Sequence, residues 1–369
     1  MALAALSCNQ PVAAAEDIVV AAVATRPGAQ QPDGADLTGA VELALREVNR
    51  RGGLLGRPLR LVAYAEDCSQ ATAETIAGQI VARGATLVVG HLCSAAAIAA
   101  APVYARHGIM LITPGARSPR LTEPRAGGGI FRLAGRDDRF GAETAALIGQ
   151  RFAARRIAVI HDLSVQARAL ADSVDRELKA RSITPVLRAS YIAGERAYNA
   201  VVDQLLAAEA DVIVVPAQPM EAGIIIDGLR ARNVAATLIG SEILAVPAME
   251  ATGRRLGDSF IVMLPWLPPA NGPIKIANRA SVSAVAVRSR AAIEAWAAAV
   301  TRAGNLDEAS VARILETQSV PTAAGPVRFD VKGDAVLPSF APHAWRTYSP
   351  GEPHAPDRTG DWQQLAPLQ

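Results

Sequence analysis

The tetrapeptide His91-Leu92-Cys93-Ser94 brings an imidazole, a thiol and a hydroxyl into four positions, where the apolar run TLVVG (86–90) gives way to the alanine-rich AAAIAAAPVY (95–104). Two chemistries fit. A thiol beside an imidazole could be a nucleophile, although His91 and Cys93 point the same way only if extended geometry persists through the turn. Alternatively, Ser94 stands where an N-cap hydroxyl would, and a cap with first-turn N–H groups behind it suits a carboxylate. A cap with no ligand is equally compatible with the residues. Past the next strand, in TPGARSP (113–119), Pro114-Gly115 offers backbone that a carboxylate could approach closely, and Arg117 could grip it through two charge-assisted bonds. As a plain loop charge, Arg117 needs no ligand. Glu242, closing GSE (240–242), could receive an ammonium group or form a structural ion pair.

Other catalytic patterns are weak. The five histidines (91, 107, 161, 343, 354) have no metal-ligand spacing, and neither a phosphate-cradling loop nor a G-x-S-x-G elbow occurs. No metal and no cofactor is expected.

These residues sit at junctions of a regular alternation. From residue 18, short apolar runs alternate with amphipathic helical stretches, the pattern of parallel βα units. Strands are expected at 18–24, 59–67, 86–90 and 109–113. Helices are expected from Asp36, burying Leu37, Val41, Leu45 and Val48 before Gly52-Gly53, and at 71–83 and 95–107. The alternation restarts after RAGGGIFRLAGRDDRFG. Helices are expected at 139–153, 165–181, 197–208 and 220–232, and strands at 156–162, 185–192, 211–217, 236–242 and 259–266. Residues 280–318 hold two helical stretches followed by one strand, GPVRFDV, and must pack onto an existing lobe. Residues 349–369, rich in proline and polar residues, read as a mobile C-terminal tail. The fold class is α/β, with two doubly wound parallel-sheet lobes. Ligands of such sheets bind beyond the carboxyl ends of strands, here Thr25 to Asp33, Asp67-Cys68, 91–94, 113–119, Asp162 to Gln166, Ala217-Gln218 and Ser241-Glu242.

The chain has 369 residues, enough for two cores. Its 37 basic residues nearly balance 35 acidic ones, so no general field attracts nucleic acid or an anionic membrane, and a small molecule is the default partner. The start, MALAALSCNQPVAAAEDIVV, ends its apolar run at Ala13-Ala14-Ala15, a small-x-small cleavage pattern. Residues 1–15 are therefore expected to be a signal-peptide remnant. No basic residue precedes Arg26, which a start site set too far downstream would explain; an ordinary tail and a lipoprotein site at Cys8 are the alternatives. Removing residues 1–15 leaves Cys68 and Cys93, each just past a strand end. An even pair in an oxidising compartment suggests a disulfide between neighbouring strand ends, with a free catalytic thiol as rival.

The stretch VVGHLCSAAAIAAAPVYARHGIMLITPGARSPRLT (88–122), with NRRGGLLGRPLRLVAYAEDC, RIAVIHD, GSE and GPVRFDVKGD, resembles the periplasmic leucine/isoleucine/valine-binding proteins, type I solute receptors of branched-chain amino-acid ABC importers. The resemblance covers most of the chain after residue 15. It implies two lobes joined by three crossover segments, near Phe131 to Gly135, Ser259 to Trp266 and Phe329 to Ser339, enclosing a ligand between them. Lobe one would then be residues 16–132, lobe two 133–262, with 263–330 returning to lobe one and 331–348 crossing to lobe two. It also implies the Cys68–Cys93 disulfide. Ser94 matches the family's carboxylate-binding serine, Gly115, with Ala116 beside it, a backbone contact, and Glu242 the acid that holds the ammonium. Arg117 departs from the family's threonine, and Gln166 and Gln218 from its tyrosines; near Pro32 another pocket aromatic is missing.

A guanidinium and two amides make a poor wall for an aliphatic side chain, because their own hydrogen bonds must be met. The expected ligand is a small carboxylate with a second polar group, such as an amino acid with an amide or acidic side chain. Three functional classes follow: a monomeric periplasmic receptor that hands its solute to an ABC transporter permease, a sensor of the same fold reporting to a signalling partner, and, least favoured, an enzyme built on Cys93.

Overall fold

A computed structural model describes residues 16–26, 34–216, 218–266, 283–347 and 360–365. The expected signal segment, the Pro32 position, Ala217 and most of the expected tail lie outside them.

Eight consecutive buried residues, IVVAAVAT, make β1 (Ile18–Thr25) a strand covered on both faces. There follow α1 (Gly34–Arg50), β2 (Leu59–Glu66), α2 (Gln70–Ala82), β3 (Ala85–Gly90), α3 (Ser94–Arg106), β4 (Met110–Thr113) and β5 (Ile130–Arg132). The five strands form one parallel sheet, ordered β2-β1-β3-β4-β5. Val19, Ala21 and Val23 pack with α2 and α3. The alternate residues turn to the opposite face, on which α1 packs against a helix from much later in the chain. Because α1 and α3 leave the sheet on opposite sides, the carboxyl ends of β1 and β3 flank the crevice where such sheets take ligands.

The second series runs α4 (Phe140–Arg151), β6 (Ile157–His161), α5 (Val165–Ala180), β7 (Leu187–Ser190), α6 (Asn199–Ala207), β8 (Val212–Val215), α7 (Pro219–Arg230), β9 (Thr237–Ser241), α8 (Glu250–Leu256) and β10 (Phe260–Pro265). Ile157 and Val159 face α4 and α5, and Ala158 and Ile160 face α6 and α7.

The late part of the chain holds α9 (Ala284–Ala303), α10 (Glu308–Thr317), β11 (Val320–Thr322), β12 (Gly325–Val327), β13 (Phe340–Thr347) and β14 (Gly360–Gln364). Helix α9 is the one that covers α1. The expected strand GPVRFDV is shorter than read: Gly325–Val327 pair with β11 in a two-stranded hairpin, and beyond them Phe329 makes an isolated bridge to Ala335. Phe329 is buried against Phe131. Strand β13 adds antiparallel to β10, and β14 antiparallel to β13, giving the order β14-β13-β10-β9-β8-β6-β7. Residues 360–364, expected to belong to a mobile tail, form this strand instead. Trp362 of β14 meets Trp345 and Phe260 edge-on, at 5.3 and 4.7 Å between ring centroids.

The contacts divide the chain into unit 1, Met1–Ala134 with Pro268–Val336, and unit 2, Gly135–Leu267 with Leu337–Gln369. The chain therefore passes between units three times. The returning segment begins at 268 and ends at 336, because β10 (Phe260–Pro265) is sheet-bonded within unit 2. Near the last passage Arg132, fully buried, bonds Thr122, Asp334 and the Ser118 carbonyl.

Candidate functional site

In unit 1 the junction opens on Gly90, where any Cβ would lie 2.4 Å from the Val23 carbonyl. His91 follows in the left-handed region (φ 54°), which turns its imidazole into the protein. Nδ1 lies 2.8 Å from Glu66 Oε2 and Nε2 lies 2.9 Å from Tyr104 Oη, all three residues being fully buried. Burial, and then the Glu66 charge, push the Tyr104 phenol above its ordinary range. It stays protonated and can donate to Nε2 while Nδ1–H donates to the carboxylate. The pairing of His91 with Cys93 is corrected: the imidazole belongs to Glu66 and Tyr104, and the sulfur is bonded to Cys68.

That disulfide does not join neighbouring strands, as the sequence reading supposed, because β1 lies between β2 and β3. Strands two apart are about 9–10 Å distant, whereas the two cysteine Cα atoms are 5.5 Å apart. Both segments bend over the end of β1, through Cys68 (φ 67°) and His91 (φ 54°).

Ser94 is not the N-cap of α3; Cys93 occupies that position, without a side-chain cap bond. The Ser94 hydroxyl instead accepts N–H bonds from Arg117 and Ser118, each 3.0 Å. With two lone pairs engaged, its own O–H is the group left to donate. Thr113 completes the brace. Its Oγ1 donates to the His91 carbonyl (2.9 Å) and accepts from the N–H groups of Ala116 (3.1 Å) and Gly115 (3.3 Å). A Cβ on Gly115 would come within 3.0 Å of Leu92 Cα, so this glycine lets the two loops touch. Ser94, Gly115, Ala116 and Arg117 are thereby gathered into one cluster. Arg288 on α9, which sequence reading passed over, is buried. Burial, and then the neighbouring Arg117 charge, pull its guanidinium down to about 10. The two guanidinium groups are thus close enough to feel each other's charge.

In unit 2, Asp162 and Ser164 shape the turn from β6 into α5. Asp162 Oδ1 accepts from the Ser164 N–H (3.0 Å), and Ser164 caps the helix through the Ala167 N–H (3.2 Å). Gln166 is exposed on the first turn of α5, and Gln218 is exposed at the N-cap of α7, making no cap bond. Glu242 is exposed at the head of a 3-10 turn (Glu242–Leu244), after Gly240, where a Cβ would strike Leu244. The three lie beyond successive strands β6, β8 and β9. Sequence reading missed the buried members of this face, Tyr191 and Glu221. Their signal was faint: a tyrosine just past a short strand, and one acid in the first turn of an apolar helix.

Among the described residues no group of acids, histidines and cysteines could hold a metal ion, and no helix is long and apolar enough to cross a membrane.

A family model described as periplasmic binding protein matches residues 17–339. The amino acid binding protein of Pseudomonas aeruginosa is 29% identical over 340 residues, which is 89% of this chain and 90% of that protein. The Leu/Ile/Val-binding protein of Escherichia coli is 31% identical over 343 residues, 90% of this chain and 92% of that protein. Among solved structures, an ABC transporter substrate-binding protein of Desulfitobacterium hafniense in complex with Leu is similar at TM-score 0.68 and 20% identity, over 95% of this chain and 100% of that one. The leucine-, isoleucine-, valine-, threonine- and alanine-binding protein of Brucella ovis, in a closed conformation, is similar at TM-score 0.67 and 16% identity, over 95% of each chain. These structural likenesses speak for the fold.

Proposed function

The chain belongs to the periplasmic binding protein family, and on that premise we propose that it is a solute receptor that captures a small amino acid or related polar carboxylate and delivers it to an ABC importer. The observation that carries this reading is Ser94. Its hydroxyl is fixed by two backbone N–H donors, keeps one O–H to give, and stands at the head of α3 beside Arg117. Such a group suits a carboxylate: a donor pre-oriented by the fold at a helix N-terminus, on a loop that also carries Arg117. The N–H groups of Gly115 and Ala116 are taken by Thr113, so their carbonyls are what this loop offers to the solute's ammonium.

In unit 2, Glu242 is the acceptor for the solute's ammonium, and the amides of Gln166 and Gln218 contribute polar contacts. These amides, with Arg117, favour a solute with a second polar group over a branched aliphatic one. The amino acid binding protein of Pseudomonas aeruginosa and the Leu/Ile/Val-binding protein of Escherichia coli, similar over most of the chain, support amino-acid capture as the class of activity. The family is one of solute binders, and no catalytic step is needed. With the small-x-small motif at residues 13–15, the reading gives a monomer exported to the periplasm, with the importer's permease as its partner.

The test is the mass of any small molecule released from the purified protein by mild denaturation. A single carboxylate bearing a further polar group is the expected result. Release of leucine, isoleucine or valine would overturn the preference for polar solutes, and release of a molecule with no carboxylate would overturn the role given to Ser94.

A further inference from the structure

Unit 2 holds a second set of polar groups that the proposed contacts of Gln166, Gln218 and Glu242 do not use. Asp162, Tyr191 and Glu221 follow the ends of β6, β7 and β8, and each is more than nine-tenths buried. One oxygen of Glu221 accepts the Gly194 N–H (3.2 Å); the other, Oε2, is buried with no hydrogen-bond partner. The Tyr191 hydroxyl is likewise buried and unpartnered. Its ring is held edge-on by Tyr198, 5.0 Å away, whose own hydroxyl accepts the Glu195 N–H. A buried carboxylate oxygen with nothing to accept from is costly, and two acids around one phenol raise that cost. Burial and then the charges of Asp162 and Glu221 push the phenol upward, so it remains a neutral hydroxyl. The group that would satisfy Glu221 Oε2 and the Tyr191 hydroxyl, beside an Asp162 carboxylate already bonded to the Ser164 N–H, is rich in donors and positively charged.

The surroundings narrow the choice further. Each member of the set has an exposed apolar chain neighbour: Leu163 beside Asp162, Ile192 beside Tyr191 and Met220 beside Glu221, from 52% to 64% exposed. Buried acceptors whose chain neighbours are exposed apolar side chains suit a cationic head on a methylene stem. A metal ion is disfavoured by the donor set, which holds only two carboxylates.

We propose that Asp162, Tyr191 and Glu221 form a recognition site for the ammonium or guanidinium end of an aliphatic solute. This rests on the solute-binding reading and deepens it, naming a basic amino acid as the class.

Calorimetric titration with L-lysine, L-arginine and L-norleucine, the last having the stem without a cationic tip, tests it. Wild-type protein is expected to bind lysine or arginine at least tenfold more tightly than norleucine. Glu221→Gln should abolish that preference by weakening the basic ligands tenfold or more while leaving norleucine within about twofold, and Tyr191→Phe should weaken the basic ligands a few-fold. Ser94→Ala should weaken all three alike, which separates the carboxylate grip from the cation site. If the basic ligands bind no tighter than norleucine, or keep their advantage in both Glu221→Gln and Tyr191→Phe with unchanged thermal melts, the site is overturned and carboxylate capture stands. If none of the three binds wild-type protein, the cation site is overturned, while binding of glutamine or glutamate in the same titration leaves amino-acid capture standing.

Discussion

His91 shows how a residue that looked reactive became structural. In sequence it sits two positions from a cysteine; in the fold its left-handed backbone turns the ring to Glu66 and Tyr104, away from the thiol partner it was given. A spacing argument cannot foresee that turn, because it depends on Gly90 crossing over Val23. Removing the imidazole would leave the buried Glu66 carboxylate uncompensated. His91→Ala is therefore expected to cost about 3 to 5 kcal/mol in urea unfolding, against about 1 kcal/mol for Tyr104→Phe, which removes one neutral partner. Equal costs would contradict the assignment of Glu66 as the main partner. Ser94 was legible as an anion-binding hydroxyl, but its bonds to Arg117 and Ser118 were not, since they link residues 23 and 24 positions apart through a loop. Arg288 was hidden by its setting, AVAVRSRAAIEAW, which reads as a core helix with a charged edge.

The alternation of strands and helices was legible almost residue by residue, because parallel strands covered on both faces are written as unbroken apolar runs, as in IVVAAVAT. What periodicity does not carry is strand order. The disulfide was foreseen, whereas the interposition of β1 between the bridged segments was not. Its 25-residue span makes it worth about 3 to 4 kcal/mol by chain entropy. The double variant Cys68→Ala/Cys93→Ala should lose that much in urea unfolding and melt correspondingly earlier; an unchanged melt would mean that the hydrogen bonds around His91 alone hold the two bends. Strand β14 was missed because DWQQL has neither alternation nor a long apolar run. It forms because Trp362 finds Trp345 and Phe260, contacts that only the assembled sheet supplies.

For the whole molecule, pH dependence has a definite sign. His161 and His343, both in unit 2, are held below the ordinary imidazole range, chiefly by burial. The folded state thus disfavours their charged forms. The unfolded chain takes up protons first as pH falls below about 6.5, and stability declines from there down to the folded-state values. Asp172 and Asp307 are held below the usual carboxylate range, and Asp67 at about 2, so they act only in more acid solution. Melting temperatures should fall between pH 7.5 and 5.5, and His343→Gln should flatten that fall; a variant as steep as wild type would exclude His343 as a source.

The central claim is that Ser94 and its bonded loop hold the carboxylate of a polar solute. Calorimetric titration of wild-type and Ser94→Ala protein, with leucine beside lysine, arginine, glutamine and glutamate, addresses it most directly. One of the polar amino acids is expected to bind more tightly than leucine, and Ser94→Ala to weaken it at least tenfold, about 1.4 kcal/mol, with the melt of the unliganded protein lowered by no more than the two lost hydrogen bonds explain. Tightest binding of leucine, or full affinity in Ser94→Ala, would contradict it.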